Sequence, residues 1–130
     1  MEQYICPKCR GHLRINNMII FSTMTLDKKY GLIIMNPRMG NYSYVNHPSF
    51  EFLKGELVDF FCPICHANLE HKAIHENLAR IIMVDGKNKE HEILFSRRAG
   101  EQCTFKIKDN KIESFGRDST IYFESLSRIK

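Results

Sequence analysis

The chain has no apolar run long enough to cross a bilayer. Its longest, Met18-Ile19-Ile20-Phe21 and Leu32-Ile33-Ile34-Met35, fall far short of the roughly 20 residues that a membrane helix needs. The N-terminal stretch, Met1-Glu2-Gln3-Tyr4-Ile5-Cys6, lacks the basic and apolar regions of a secretory leader. The cytoplasm is therefore the expected compartment, where thiols stay reduced or bind metal. There is no Gly-rich phosphate loop, no nucleophile elbow and no H-E-x-x-H pattern. Neither an enzyme nor a small-molecule substrate is implied. The basic residues are scattered: Lys28-Lys29, Arg38, Arg97-Arg98, Arg128 and Lys130 are interleaved with acids, leaving no basic stripe.

What is present is ordinary globular material. Hydrophobic residues make up 43% and charged residues 26% of 130 positions, a balance that excludes disorder and allows one domain. Within it stands one short repeat. Cys6-Pro7-Lys8-Cys9-Arg10-Gly11-His12-Leu13 and Cys62-Pro63-Ile64-Cys65-His66-Ala67-Asn68-Leu69 share the pattern C-P-x-C-x-x-x-L, 56 residues apart. Each follows an apolar pair, Tyr4-Ile5 or Phe60-Phe61, as a strand entering a tight turn provides. The likeness stops at the octapeptides, so it marks a repeated knuckle and not a solenoid repeat.

Two C-x-x-C pairs supply four soft thiolates, the set that selects tetrahedral zinc or iron. A tight turn after the first Cys lets both sulfurs of a pair face one ion, and proline presets φ for that turn. Four-thiolate coordination is closed, so such an ion cannot activate water. It also alters the electrostatics. The formal charge of +4 counts cysteines as neutral, and four thiolates on Zn²⁺ lower it to about +2. That weakens any case for backbone contacts to nucleic acid.

The paired octapeptides resemble the rubredoxin-like knuckles of the zinc-ribbon superfamily. The resemblance implies one structural Zn²⁺ per chain, held by Cys6, Cys9, Cys62 and Cys65. Such knuckles often place Gly straight after the second Cys, where left-handed backbone is wanted. Arg10 and His66 stand there instead, so Gly11 and Asn68 are expected to take that conformation. The 52 residues between the pairs exceed a minimal ribbon and must add strands of their own. Three rival readings fit less well. A redox C-x-x-C needs an exposed thiolate at a helix N-terminus. A rubredoxin-like iron electron carrier wants the absent glycines. The C-x-x-C-H of Cys62–His66 matches haem attachment only in an exported protein.

Elsewhere the pattern is mainly β. Strands are expected around Met18–Phe21, Leu32–Met35 and Leu57–Phe61, with residues 36–49 as a loop rich in Pro, Gly, Asn and Ser. A short helix is expected near 70–78. An antiparallel meander should follow, with strands at Arg80–Val84, Ile93–Phe95, Cys103–Lys108, Lys111–Phe115 and Thr120–Phe123. The predicted architecture is thus a zinc ribbon with a strand-bearing insertion over 1–78 and a meander over 79–130, packed as one unit.

Among the remaining residues, Cys103 shares a strand face with Phe105 and Ile107 and is expected in the core. His71 and His75, at i, i+4, are expected to be solvated rather than to bind a second metal. Arg97-Arg98 reads as a solvated strand edge. The loop bearing Arg38, Tyr42, Tyr44 and His47 mixes a cation with aromatics and is the candidate interaction loop. The expected function is a non-enzymatic zinc module that binds a protein partner. A ribosome- or transcription-associated nucleic-acid ribbon is the alternative, and an iron electron carrier the lesser one.

Overall fold

Alternation of apolar and polar side chains produces strands, and ten appear in the computed structural model, which describes residues 1–127. In chain order they are β1 (Gln3–Ile5), β2 (Arg14–Ile15), β3 (Met18–Met24), β4 (Tyr30–Met35) and β5 (Tyr44–Asn46). Then come β6 (Asp59–Phe61), β7 (Leu78–Val84), β8 (Glu90–Ser96), β9 (Thr104–Lys108) and β10 (Lys111–Phe115). A 3₁₀ turn (Ser119–Tyr122) leads into a short helix, α1 (Phe123–Ser127). The end of the expected 79–130 unit, including Arg128 and Lys130, lies outside the described residues.

The strands form two antiparallel sheets. The first has the order β1-β7-β8-β9-β10; in the second, β3 pairs β4, β4 pairs β5, and β2 and β6 line the other side of β3. Strand β1, which leads into the first knuckle, thus pairs with β7, Tyr4 opposite Met83. Turn chemistry sets the hairpins. Asp109 and Asn110 both take positive φ (49° and 69°) between β9 and β10, the mirror-image turn whose twist suits a hairpin. Between β7 and β8, Asp85 Oδ1 accepts from the backbone N–H of Lys87 and Lys89 at 2.9 and 3.0 Å.

The main core lies between the sheets. Ile19, Phe21, Ile33 and Phe60 from the second sheet meet Tyr4, Ile81, Met83, Ile93 and Phe95 from the first. The rings of Phe21, Phe60 and Phe95 sit 5.1–5.5 Å apart, the spacing at which aromatic pairs add to simple burial. Gly31 lies opposite Thr23 on that same inner side; a Cβ there would come 2.8 Å from the Phe50 ring. The opposite face of the first sheet carries a second core, where Leu78, Leu94, Cys103 and Phe105 pack under Tyr122 and Leu126.

The mainly β reading is what the structure shows, with three local corrections. Residues 70–78 do not form a helix. Glu70 bridges Ala79 and the His71 N–H bonds Leu78 O at 2.8 Å, so an antiparallel ladder pins both ends and leaves only turns between. The stretch Thr120–Phe123 is not a strand. Tyr122 and Leu126 stand four apart, so a helical turn buries both on the sheet while Ile121 and Phe123 stay exposed. Finally, the 36–49 loop contains an edge strand, β5, with Val45 paired to Ile34. No helix among the described residues is long and apolar enough to cross a membrane.

Candidate metal centre

Each knuckle is the turn of a small hairpin. In the first, Leu13 N–H bonds Tyr4 O (2.7 Å), Cys6 N–H bonds Gly11 O (3.0 Å) and Arg10 N–H bonds Cys6 O (2.9 Å). The second repeats these bonds: Leu69 to Phe60 (2.8 Å), Cys62 to Ala67 (3.0 Å) and His66 to Cys62 (2.9 Å). The final Leu of each motif is buried at 2–3% exposure, so the pattern's last position anchors the turn in the core. Arg10 and His66 themselves adopt φ of 61° and 65°. This corrects the expectation for Gly11 and Asn68. Gly11 serves space instead, because a Cβ there would lie 2.6 Å from Ile64 Cδ1 and 3.2 Å from Cys9 Sγ.

The two knuckles bring Cys6, Cys9, Cys62 and Cys65 together, all four sulfurs within 4.8 Å of one another. Cys6 Sγ lies 3.8 Å from Cys65 Sγ, and Cys9 Sγ 3.8 Å from Cys62 Sγ. A tetrahedron with metal–sulfur bonds of about 2.3 Å has sulfur–sulfur edges of about 3.8 Å. The donor set therefore fits a metal ion of that size. Cys6 and Cys62 are buried while Cys9 and Cys65 are exposed, so each knuckle offers one inner and one outer sulfur.

Backbone N–H groups are aimed at these sulfurs. Lys8 N–H approaches Cys6 Sγ, Gly11 N–H approaches Cys9 Sγ and Ile64 N–H approaches Cys62 Sγ, each at 3.3 Å. Such N–H groups are the donors that a ligated sulfur accepts from. The backbone N–H of Ala67 lowers the Cys65 thiol from its ordinary value. Burial acts in the opposite direction on Cys62 and pushes it up. A dication held there would offset that burial cost directly, because ligation requires deprotonation.

Arg97, expected at a solvated edge, is instead 4% exposed. Its guanidinium pairs with Asp59 and lies 3.5 Å from Glu70. It also donates to Val58 O at 3.2 Å and to Glu76 O. Asp59 and Glu70 flank the second knuckle on its two sides, so one planar cation braces the strands that present Cys62 and Cys65. Arg98 is half-buried and donates to Gly55 O at 3.0 Å. The first knuckle is tied down more lightly, by an exposed Arg10–Glu90 pair.

The candidate loop is part exposed and part packed: Arg38 and Tyr42 line one cleft, and Tyr42 and Tyr44 another. Arg38 is exposed, with its backbone N–H on Asn36 Oδ1 at 2.9 Å. Tyr42 is half-buried, its hydroxyl 3.0 Å from Thr104 Oγ1 on the first sheet. Tyr44 sits on β5 at 47% exposure with its ring 6.2 Å from that of Phe52. His47 is exposed and accepts from Ser49 N–H at 3.1 Å. His75 is half-buried rather than fully solvated, its ring packed edge-on against Tyr122 at 4.9 Å. His71 is also partly buried, which lowers its pKa. Cys103 is buried as expected, at 1% exposure.

Compared with protein-family models, with curated proteins and with solved structures, the chain finds no match in any of the three. The geometry of its four cysteines is compatible with a zinc ribbon.

Proposed function

We propose that the chain is a non-enzymatic zinc-binding module, with one Zn²⁺ on Cys6, Cys9, Cys62 and Cys65 stapling a β scaffold that presents a surface to a protein partner. The observation that carries this reading is the four-sulfur cluster, fed equally by two knuckles 56 residues apart. Four thiolates fill a tetrahedron and leave no open position for substrate or water, so the ion's role is structural. Zinc is chosen over iron because a four-thiolate tetrahedron fed by two C-x-x-C turns is its usual structural site. All five cysteines are free thiols, which suits a reducing compartment such as the cytoplasm.

Metal analysis of the purified chain tests the reading. One zinc per chain and a colourless solution are expected. A red, iron-loaded protein would convert it into an electron carrier, and a folded protein without stoichiometric metal would sink it. Nucleic acid bound through Arg38, Tyr42 and Tyr44 would reveal itself by affinity that falls steeply with salt.

A further inference from the structure

The outer face of the second sheet carries almost no polarity. Alternation puts Met18, Ile20, Ser22 and Met24 of β3 on the side away from the core, since Ile19, Phe21 and Thr23 are buried. Cross-strand register extends that face. Ile15 lies opposite Met18, Ile34 and then Val45 flank Ile20, Leu32 and Phe61 flank Ser22, and Tyr30 lies opposite Met24. Nine apolar side chains thus surround one serine, with Asn68 beyond Phe61 at the rim. The only charge on the register is Asp59, opposite Met24, and Arg97 already holds it.

This face is uncovered by the described residues: Tyr30 is 72% exposed, Val45 65%, Leu32 57% and Ile15 55%. A solvent-facing side of an antiparallel sheet normally alternates to polar residues. Those four side chains expose roughly 450 Å², scaling from about 150–250 Å² for a whole ring and somewhat less for an aliphatic chain. With the half-buried Met18, Ile20, Met24, Ile34 and Phe61, the face reaches on the order of 650 Å², above the usual largest patch on a monomer. A stable complex buries about 800 Å² per partner, so this face with its rim supplies what one interface needs.

We infer that a second copy of this chain covers the face, giving a two-fold dimer in which the second sheets pack against each other. The absence of unpaired charge, together with the area of the face, favours a copy of itself over a different protein. A two-fold interface brings the same patch to itself, and a patch free of unpaired charge meets itself without like-charge repulsion. It also holds no charge or buried donor that would choose a different partner by electrostatics. Twisted sheets stack about 10 Å apart with interdigitated side chains, the same arrangement that Phe21, Ile33 and Phe95 make inside the monomer.

The inference supplies the partner that the proposed function leaves open, and rests on that reading only there. Sedimentation velocity of the zinc-loaded chain from 1 to 100 µM tests it. A dimer should dominate at tens of micromolar, and Leu32→Lys with Val45→Lys should weaken it at least 100-fold while zinc stoichiometry is kept. Should that double variant fail to fold, methyl NMR of the wild type decides. Dilution must then shift Ile20, Ile34 and Val45 while leaving Ile81 and Ile93 still. A wild type that stays monomeric at 100 µM overturns the inference, including one that instead binds vesicles or another protein through this face. A dimer indifferent to both lysines overturns it too. A zinc-free chain that still dimerises refutes the proposed function alone.

Discussion

Arg10 and His66 occupy the same position in two knuckles and share the same left-handed backbone, with φ of 61° and 65°. Neither is glycine, so each carries a Cβ where L-residues pay about 1–2 kcal/mol. The conformation closes a turn that points two sulfurs at one centre, and an ion bound there would hold the turn shut.

That strain makes a first prediction. His66 is exposed, so replacing it with glycine removes the Cβ clash at the expense of some unfolded-chain entropy. His66→Gly should leave the zinc-loaded protein more stable by about 0.5–1 kcal/mol. The β-branched His66→Val should lower stability by about 1–2 kcal/mol instead. Thermal unfolding of both at fixed zinc checks the signs, and equal shifts in the same direction would refute the argument.

Loss of a buried sulfur should be far more severe. Binding of a structural zinc contributes roughly 10–16 kcal/mol of apparent free energy, as much as or more than the typical 5–15 kcal/mol of net stability. Cys62→Ser should therefore lose stoichiometric zinc and the dispersed amide spectrum together. A well-folded, metal-free Cys62→Ser protein would show that the ion is dispensable.

Arg97 tests how the second knuckle is braced. Arg97→Met keeps most of the side-chain volume but strands Asp59 and Glu70 (side chains 29% and 26% exposed). Removing one partner of a buried ion pair costs about 3–5 kcal/mol, and the partial exposure of these carboxylates reduces that to about 2–3 kcal/mol. Urea unfolding should show the drop. Arg98→Met, at a half-exposed neighbour, should cost under about 1 kcal/mol.

Thiol chemistry separates the fifth cysteine from the other four. Burial pushes the Cys103 thiol up to about 12, so it stays protonated and shielded at pH 8. The zinc-loaded protein should react slowly with a disulfide reagent, and a chelator should release four fast thiols. A single fast thiol before chelation would contradict the buried placement.

Acid should reveal Asp85. The side-chain hydrogen bond from His91, followed by the Lys89 backbone N–H, holds the Asp85 carboxyl well below the ordinary carboxylate range. A group whose folded pKa is depressed adds stability above its unfolded pKa of about 4 and loses it as pH falls through the folded value. The Asp85 carboxyl carbon should therefore show little titration in NMR between pH 5 and 3, the range of a free aspartate. His91→Phe should move that titration upward toward the ordinary value.

Much of the candidate metal centre was legible in the chain, because ligand type and spacing are local properties. C-P-x-C names two sulfurs on one turn, and a repeated copy names the other two. The strand at Cys103–Lys108 was equally plain, since period-two alternation is written in neighbouring residues. The helix expected near 70–78 failed for a non-local reason. His71 N–H and Arg80 N–H are taken by Leu78 O and Leu69 O, and a ladder that closes across the loop outweighs a weak local preference.

Arg97 and the bare sheet face lay further from view. A dipeptide of arginines is the same string whether it faces water or fills the gap between Asp59 and Glu70; only the packing of β6 beside β3, and of β8 beneath them, buries it. The apolar run Leu32-Ile33-Ile34-Met35 likewise reads as a strand, but which residues turn outward depends on which face meets the first sheet. The sequence by itself determined the four sulfurs and the β character, because both are set by short-range spacing. Tertiary structure alone decided that Arg97 is the brace and that Tyr30, Leu32 and Val45 are left facing water, because burial is settled by what another part of the chain brings alongside.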